Sequence, residues 1–302
     1  MEDMITGLCP QCGHTLHIPA ELASFSCMYC GARLTKEQLA AEPPAAQEAD
    51  EDRAAYYDRA VSRLGWCIKN FGGYQKKIMR DVFFEAFETY ETGCAPVIQE
   101  LARGVAPEQQ TQLLGRAAAA MLDELEAGWQ KKGDMEDEKI VLAIFFVPMV
   151  RKQQLPISEE FVTILQKQWV ERYPKSPFYL GDYESISGGF RKKFLGLCFI
   201  TTAVCQELGK PDDCEELTAF RAFRDGYLRS QPDGEALIRE YYNIAPGIVT
   251  CINTCSDRHA SYARIREEYL APCYQDLLAG RNESCKARYV RMVRDLECEY
   301  LS

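Results

Sequence analysis

The chain has 302 residues, nearly half of them hydrophobic, which is enough to bury a substantial core and suggests about two domains. Its net charge of -10 makes the chain as a whole a poor electrostatic match for nucleic acid or an anionic membrane surface. Fourteen cysteines and no export signal at Met1-Glu2-Asp3-Met4 predict reduced thiols and metal ligands rather than a disulfide framework, and a cytoplasmic protein.

Residues 9 to 30 carry two knuckles, Cys9-Pro-Gln-Cys12 and Cys27-Met-Tyr-Cys30, each followed by a glycine. A C-x2-C turn presents two sulfurs to one ion, and glycine permits the left-handed backbone such a turn requires. Between the knuckles, Leu16-His17-Ile18-Pro19 reads as a short strand. The pattern resembles the zinc-ribbon family and covers about a tenth of the chain. The resemblance implies one structural Zn2+ held by Cys9, Cys12, Cys27 and Cys30. Four thiolates leave no open position for catalysis. His14 and His17 are surface imidazoles on this reading, and Arg33 and Lys36 are the ribbon's only basic residues. That disfavours nucleic acid and favours docking to a protein.

Residues 1–35 are thus the ribbon, and 36–52, rich in Ala, Glu, Pro and Gln, read as a flexible acidic linker. Residues 53–178 read as a helical region. Val61, Leu64, Ile68 and Phe71 share one stripe; Phe83, Phe87, Tyr90 and Cys94 share another. Pro107 suits the first turn of a helix carrying Leu114, Met121 and Leu125. The apolar run Ile140–Val150 is shorter than the roughly 20 residues of a membrane span and predicts a buried helix. Ser158 is placed to cap the helix of Phe161, Leu165 and Trp169.

Residues 179–302 form a second helical region. Gly181–Gly189 reads as a loop, and Cys198-Phe-Ile-Thr-Thr-Ala-Val-Cys205 as a buried helix, although its β-branched residues would also suit a strand. Gly209-Lys210-Pro211 ends it. Asp213 and Glu216 suggest a capping arrangement for the next helix, on which Arg221 and Asp225 are spaced to pair. Pro246-Gly247 should kink or end the following helix, and Pro272 should bend a later one. Cys251, Cys273 and Cys285 lie on apolar stripes and read as core, whereas Cys298 lies off its stripe.

Cys198-Phe199-Ile200, the segment Arg221-Ala-Phe223-Arg224-Asp225 and Tyr241-Tyr242 before Pro246 are similar to the CFI-box C-terminal domain of bacterial proteins. The resemblance covers about a third of the chain and implies a family without implying an activity. Thr201-Thr202-Ala203-Val204-Cys205 departs from the common continuation, so any role of a tyrosine there is lost and Cys205 is an addition. The expected fold is mostly α: a helical bundle body with a small N-terminal β-type zinc ribbon. The expected function is a zinc-binding, non-enzymatic protein-interaction adaptor or regulatory factor, without nucleic-acid or membrane partners. The alternative is a cysteine-dependent enzyme, or a redox or cofactor-binding module. Its pocket would draw on Cys198, Thr202, Cys205, Arg221, Arg224 and Asp225. A Cys255–His259 dyad is spaced to meet on one helical face, but Ser256-Asp257-Arg258 reads as a boundary separating them.

Overall fold

The computed structural model describes residues 4–11, 15–28, 30–39, 50–191, 198–254 and 257–301. The chain is mostly α-helical and divides into two compact units, residues 1–54 and 55–302. Among the described residues no helix is long and apolar enough to cross a membrane.

The N-terminal unit holds the strands. β1 (Met4–Leu8) pairs antiparallel with β2 (Thr15–Pro19), with Gly7 opposite Leu16, and β3 (Ser24–Ser26) pairs with β4 (Arg33–Thr35). Leu16, Ile18, Leu34 and the cysteines Cys9 and Cys27 make a core of their own, with Phe25 and Leu39 against it. Among the described residues this core has five buried side chains, small for a fold on its own, and two of them are cysteines. Lys36–Gln38 form a 3-10 turn, and Leu39 beyond it packs against this core. Asp50 to Asp52 are already helical. Of the expected linker, residues 40–49 lie outside the described residues.

The body begins with α1 (Asp50–Leu64), α2 (Trp66–Lys69), α3 (Phe83–Gly104), α4 (Gln110–Gly128), α5 (Lys132–Val141), α6 (Val147–Lys152) and α7 (Ser158–Arg172). It continues with α8 (Tyr183–Arg191), α9 (Phe199–Glu207), α10 (Glu215–Ala222), α11 (Gly234–Thr254), α12 (Arg258–Ile265), α13 (Ala271–Leu278) and α14 (Asn282–Tyr300). One hydrophobic core runs through all of this and crosses residue 178 without interruption. Phe83 of α3 stacks on Phe190 of α8 with centroids 4.3 Å apart, and Phe145 lies 5.6 Å from Tyr90.

Local rules fail in instructive places. The stretch read as a loop at 181–189 contains α8: Ile186 and Phe190, four apart, both bury, giving it an apolar face. Ser158 does not cap its helix; its buried hydroxyl donates to Val150 O at 2.8 Å and accepts from Leu155 N–H at 3.1 Å. α11 passes straight through Pro246, whose carbonyl accepts from Thr250 Oγ1 at 2.8 Å. Burial of nearly every side chain around Pro246 holds the helix together despite the missing N–H.

Pro148 and Pro272 are accommodated differently. A wide π turn, Leu142–Phe146, precedes the first, and another, Arg266–Leu270, precedes the second. Each proline's would-be partner carbonyl four residues back, at Ile144 or Glu268, lies inside the π turn. There the i to i-4 ladder is already opened, so the ring meets no normal bond to break.

Candidate functional site

In the N-terminal unit, Cys9 leaves the end of β1, while Cys27 and Cys30 bracket the turn between β3 and β4. That turn is closed by Gly31 N–H to Cys27 O at 2.8 Å and by Cys27 N–H to Ala32 O at 2.8 Å. Gly31 sits at φ 76, the left-handed conformation expected of a residue after a knuckle. The three sulfurs lie within 4.8 Å of one another, so this group could hold a metal ion. Cys9 Sγ and Cys30 Sγ are 3.8 Å apart. A tetrahedron with metal–sulfur bonds of about 2.3 Å has edges of about 3.8 Å, so the spacing fits four-coordinate thiolate binding. Cys12 and His14 lie outside the described residues; His17 is exposed on β2. Between the ligands, Met28 exposes 80% of its surface, and Leu22 is exposed in the preceding turn.

In the body, Cys198 stands at the N-terminal boundary of α9, which is helical as read from its apolar sides. Its thiol is 4% exposed and meets Arg224 Nη1 at 3.6 Å. Arg224 Nη1 also donates to Tyr242 OH at 2.9 Å, and its Nε and Nη2 bracket the Asp225 carboxylate at 2.8 and 2.7 Å. Tyr241 OH accepts from Ile200 N–H at 3.0 Å, and Phe199 packs edge-on against Tyr242. Cys198, Phe199, Ile200, Arg224, Asp225, Tyr241 and Tyr242, far apart in sequence, therefore form one cross-braced junction of α9, α11 and the π turn Phe223–Tyr227.

Arg221 does not join them. It grips Asp212 through the backbone oxygen at 2.7 Å and the carboxylate at 2.8 Å, so the expected Arg221–Asp225 pair is absent. The reason is geometric: the π turn opens at Phe223, and beyond it residues four apart no longer share a face. The expected Asp213 cap is also not made. Cys214 occupies the cap position of α10, and Glu216 instead contacts Lys210.

The six pocket candidates thus divide among four places, with Asp225 beside Arg224 and Arg221 apart on Asp212. Cys198 and Arg224 line a cavity of about 60 Å³ whose wall is mostly apolar, with Phe220, Phe223 and Tyr289 in it, and also includes Glu240 and Arg294. Thr202 lies on a larger groove of about 780 Å³ with Phe199, Gln206, Pro246 and Arg258; its buried Oγ1 has no hydrogen-bond partner among the described residues. Cys205, at the far end of α9, meets Cys214, with sulfurs 4.0 Å apart. Sequence reading missed Cys214; the turn-forming Gly209-Lys210-Pro211 between the two cysteines was the available signal.

Electrostatics favour quiet thiols. Burial pushes the Cys198 thiol above its ordinary value, against the pull of the Arg224 and Arg221 cations. Cys205 is pushed up to about 12, first by burial and then by the Cys214 thiol beside it. A thiol held protonated is a poor nucleophile. His259, offered as a base for Cys255, holds Glu207 through Nδ1 at 2.9 Å and is largely exposed, while Cys255 lies outside the described residues. No family model matches the chain, and no curated protein or solved structure matches it.

Proposed function

We propose that the protein is a non-enzymatic interaction adaptor, in which a small zinc-holding unit presents an apolar tip to a protein partner. Cys9, Cys12, Cys27 and Cys30 hold one Zn2+ in a closed tetrathiolate site, Cys12 supplying the fourth sulfur. The helical body, whose second half is CFI-box-like, is the scaffold that carries this unit.

The exposure of Met28 carries the reading. A methionine fixed between two ligand cysteines and 80% exposed gives a rigid base with an adaptable apolar end, a common arrangement at binding surfaces. Leu22 extends the apolar character of the unit. The state of the body's thiols supports the scaffold role: every described body cysteine except Cys214 and Cys298 is buried, and Cys198 faces a guanidinium rather than a base.

Site-specific photo-crosslinking tests this. A photoreactive amino acid at Met28 is expected to give one discrete adduct with a protein partner in the producing cell. The adduct should vanish when Cys9→Ser removes a metal ligand, and should not form from the exposed body position Tyr179. Failure of Met28 to crosslink, or the same adducts from Tyr179 and from the Cys9→Ser chain, would remove the basis for the adaptor.

A further inference from the structure

The body contains more thiol pairs than a scaffold needs. Cys94 Sγ lies against Cys67 O at 4.0 Å, Cys273 Sγ against Cys285 O at 3.8 Å, and Cys205 and Cys214 touch sulfur to sulfur. The first two pairs are sealed, all four residues being 0% exposed. In the third, Cys205 is buried but Cys214 is partly open to solvent. Among the described cysteines of the body, it is the pair that combines a sulfur–sulfur contact with a route for a small oxidant.

We propose that Cys205 and Cys214 form a modification site, closing to a reversible disulfide when a hydroperoxide attacks. The bond requires sulfurs about 2.05 Å apart and so an approach of about 2 Å from the present contact. The backbone between them is suited to yield this. Residues 208–213 make a surface turn that contains Gly209, in the left-handed conformation, and Pro211. The turn is anchored at each end, by Lys210 N–H to Cys205 O at 2.9 Å and by Cys214 N–H to Pro211 O at 3.1 Å. The anchors keep the two residues adjacent, and side-chain rotation supplies the remaining approach.

Exposure assigns the roles. The Cys214 thiolate attacks the terminal oxygen of the hydroperoxide: an S–O bond forms, the O–O bond breaks, and the departing alkoxide takes a proton to leave as an alcohol. The Cys205 sulfur then attacks the Cys214 sulfur. The S–S bond forms, the S–O bond breaks, and hydroxide leaves with the Cys205 proton as water. Two thiols together lose two electrons, and the peroxide accepts them. Cys205 is buried and is reached by the oxidant only through Cys214, so it resolves the intermediate rather than starting the reaction. The site is independent of the adaptor reading, since it lies wholly within α9, α10 and the turn between them.

The test is thiol counting by mass spectrometry on the full metal-loaded chain treated with hydrogen peroxide, alkylated, then unfolded and alkylated with a second label. Cleavage after glutamate cuts at Glu207 and separates the two cysteines, so a disulfide appears as a linked pair of peptides lighter by two hydrogens. The expected result is complete protection of Cys205 and Cys214 from both labels, reversed by a dithiol reductant. Cys67, Cys94, Cys273 and Cys285 should take the second label only. Cys205→Ser should leave a sulfenic acid at Cys214 that dimedone traps, and Cys214→Ser should abolish both products. Cys205 and Cys214 remaining free to alkylate under peroxide that has oxidised the exposed Cys298 would overturn the proposal. So would a linked peptide that survives Cys214→Ser.

Discussion

At the scale of single residues, Arg224 does most to join the segments around Cys198, Asp225 and Tyr242. Its side chain is 9% exposed and its three contacting nitrogens reach a thiol, a phenol and a carboxylate. Lysine offers a point charge without the planar fork, so Arg224→Lys cannot bracket Asp225 and reach Tyr242 together. Arg224→Ala is expected to cost about 2–3 kcal/mol in denaturant unfolding, less than for a wholly buried pair because Asp225 is 47% exposed. Hydrogen bonds from Arg224 hold the Asp225 carboxyl below its ordinary 3.8. A lowered folded-state pKa means stability that is present above the unfolded value and is lost as pH falls through the folded one. Wild type and Asp225→Asn should therefore differ most near neutrality and converge as the pH falls through the lowered Asp225 pKa, by urea titration at each pH. A difference that grows on acidification would contradict the pairing. The Cys198 run was legible because its apolar residues cover nearly every side of a helix. The partner of Asp225 was not, because i,i+4 spacing presumes a regular helix and the turn at Phe223 is not regular.

At the scale of elements, α11 is the body's central rod, packed against α8, α9, α12 and α14. It also clasps the segment before α3. Asn243 accepts from Arg80 N–H through its backbone oxygen at 3.0 Å and from Asp81 N–H through its side chain at 3.1 Å. Beside this clasp Gly247 lets the helix lie directly on the chain: a Cβ there would fall 1.7 Å from Ile78 O, a backbone atom that cannot turn aside. Gly247→Ala is expected to destabilise by about 1–3 kcal/mol or more, although alanine is the better helix former. Thermal melting with unchanged helical circular dichroism at low temperature is the check; an unchanged or raised midpoint would mean that the clasp is loose. A sequence shows Pro246-Gly247 as a helix breaker. It cannot show that a neighbour removes the need to break, because that neighbour arrives from the other half of the chain.

At the scale of the whole molecule, two cores of very different size answer to different supports. The small one, around Cys9, Leu16, Ile18, Cys27 and Leu34, includes cysteines of a group that could hold a metal ion; the large one is built of aromatic and aliphatic side chains. Full-length protein is expected to carry one zinc, and a chain starting at Ala55 none. A strong chelator should abolish the Met28 crosslink while leaving the main thermal transition within about 2 °C. Zinc retained by the shorter chain would place a second metal in the body. The helical character of the body was legible because hydrophobic period is a local signal. The continuity of the large core across residue 178 was not, because it is made by rings such as Phe83 and Phe190 meeting over long sequence separations. The Asn243 clasp has a consequence for the nascent chain. Its partners are 162 residues apart, so the first helices of the body leave the ribosome with no α11 to lie against. The N-terminal unit makes its contacts within its own short stretch of chain, whereas the body must wait for most of its length to be made. Until then Ile78, Phe83 and their neighbours are open to chaperones, and a stalled or truncated chain should be cleared as unfolded protein.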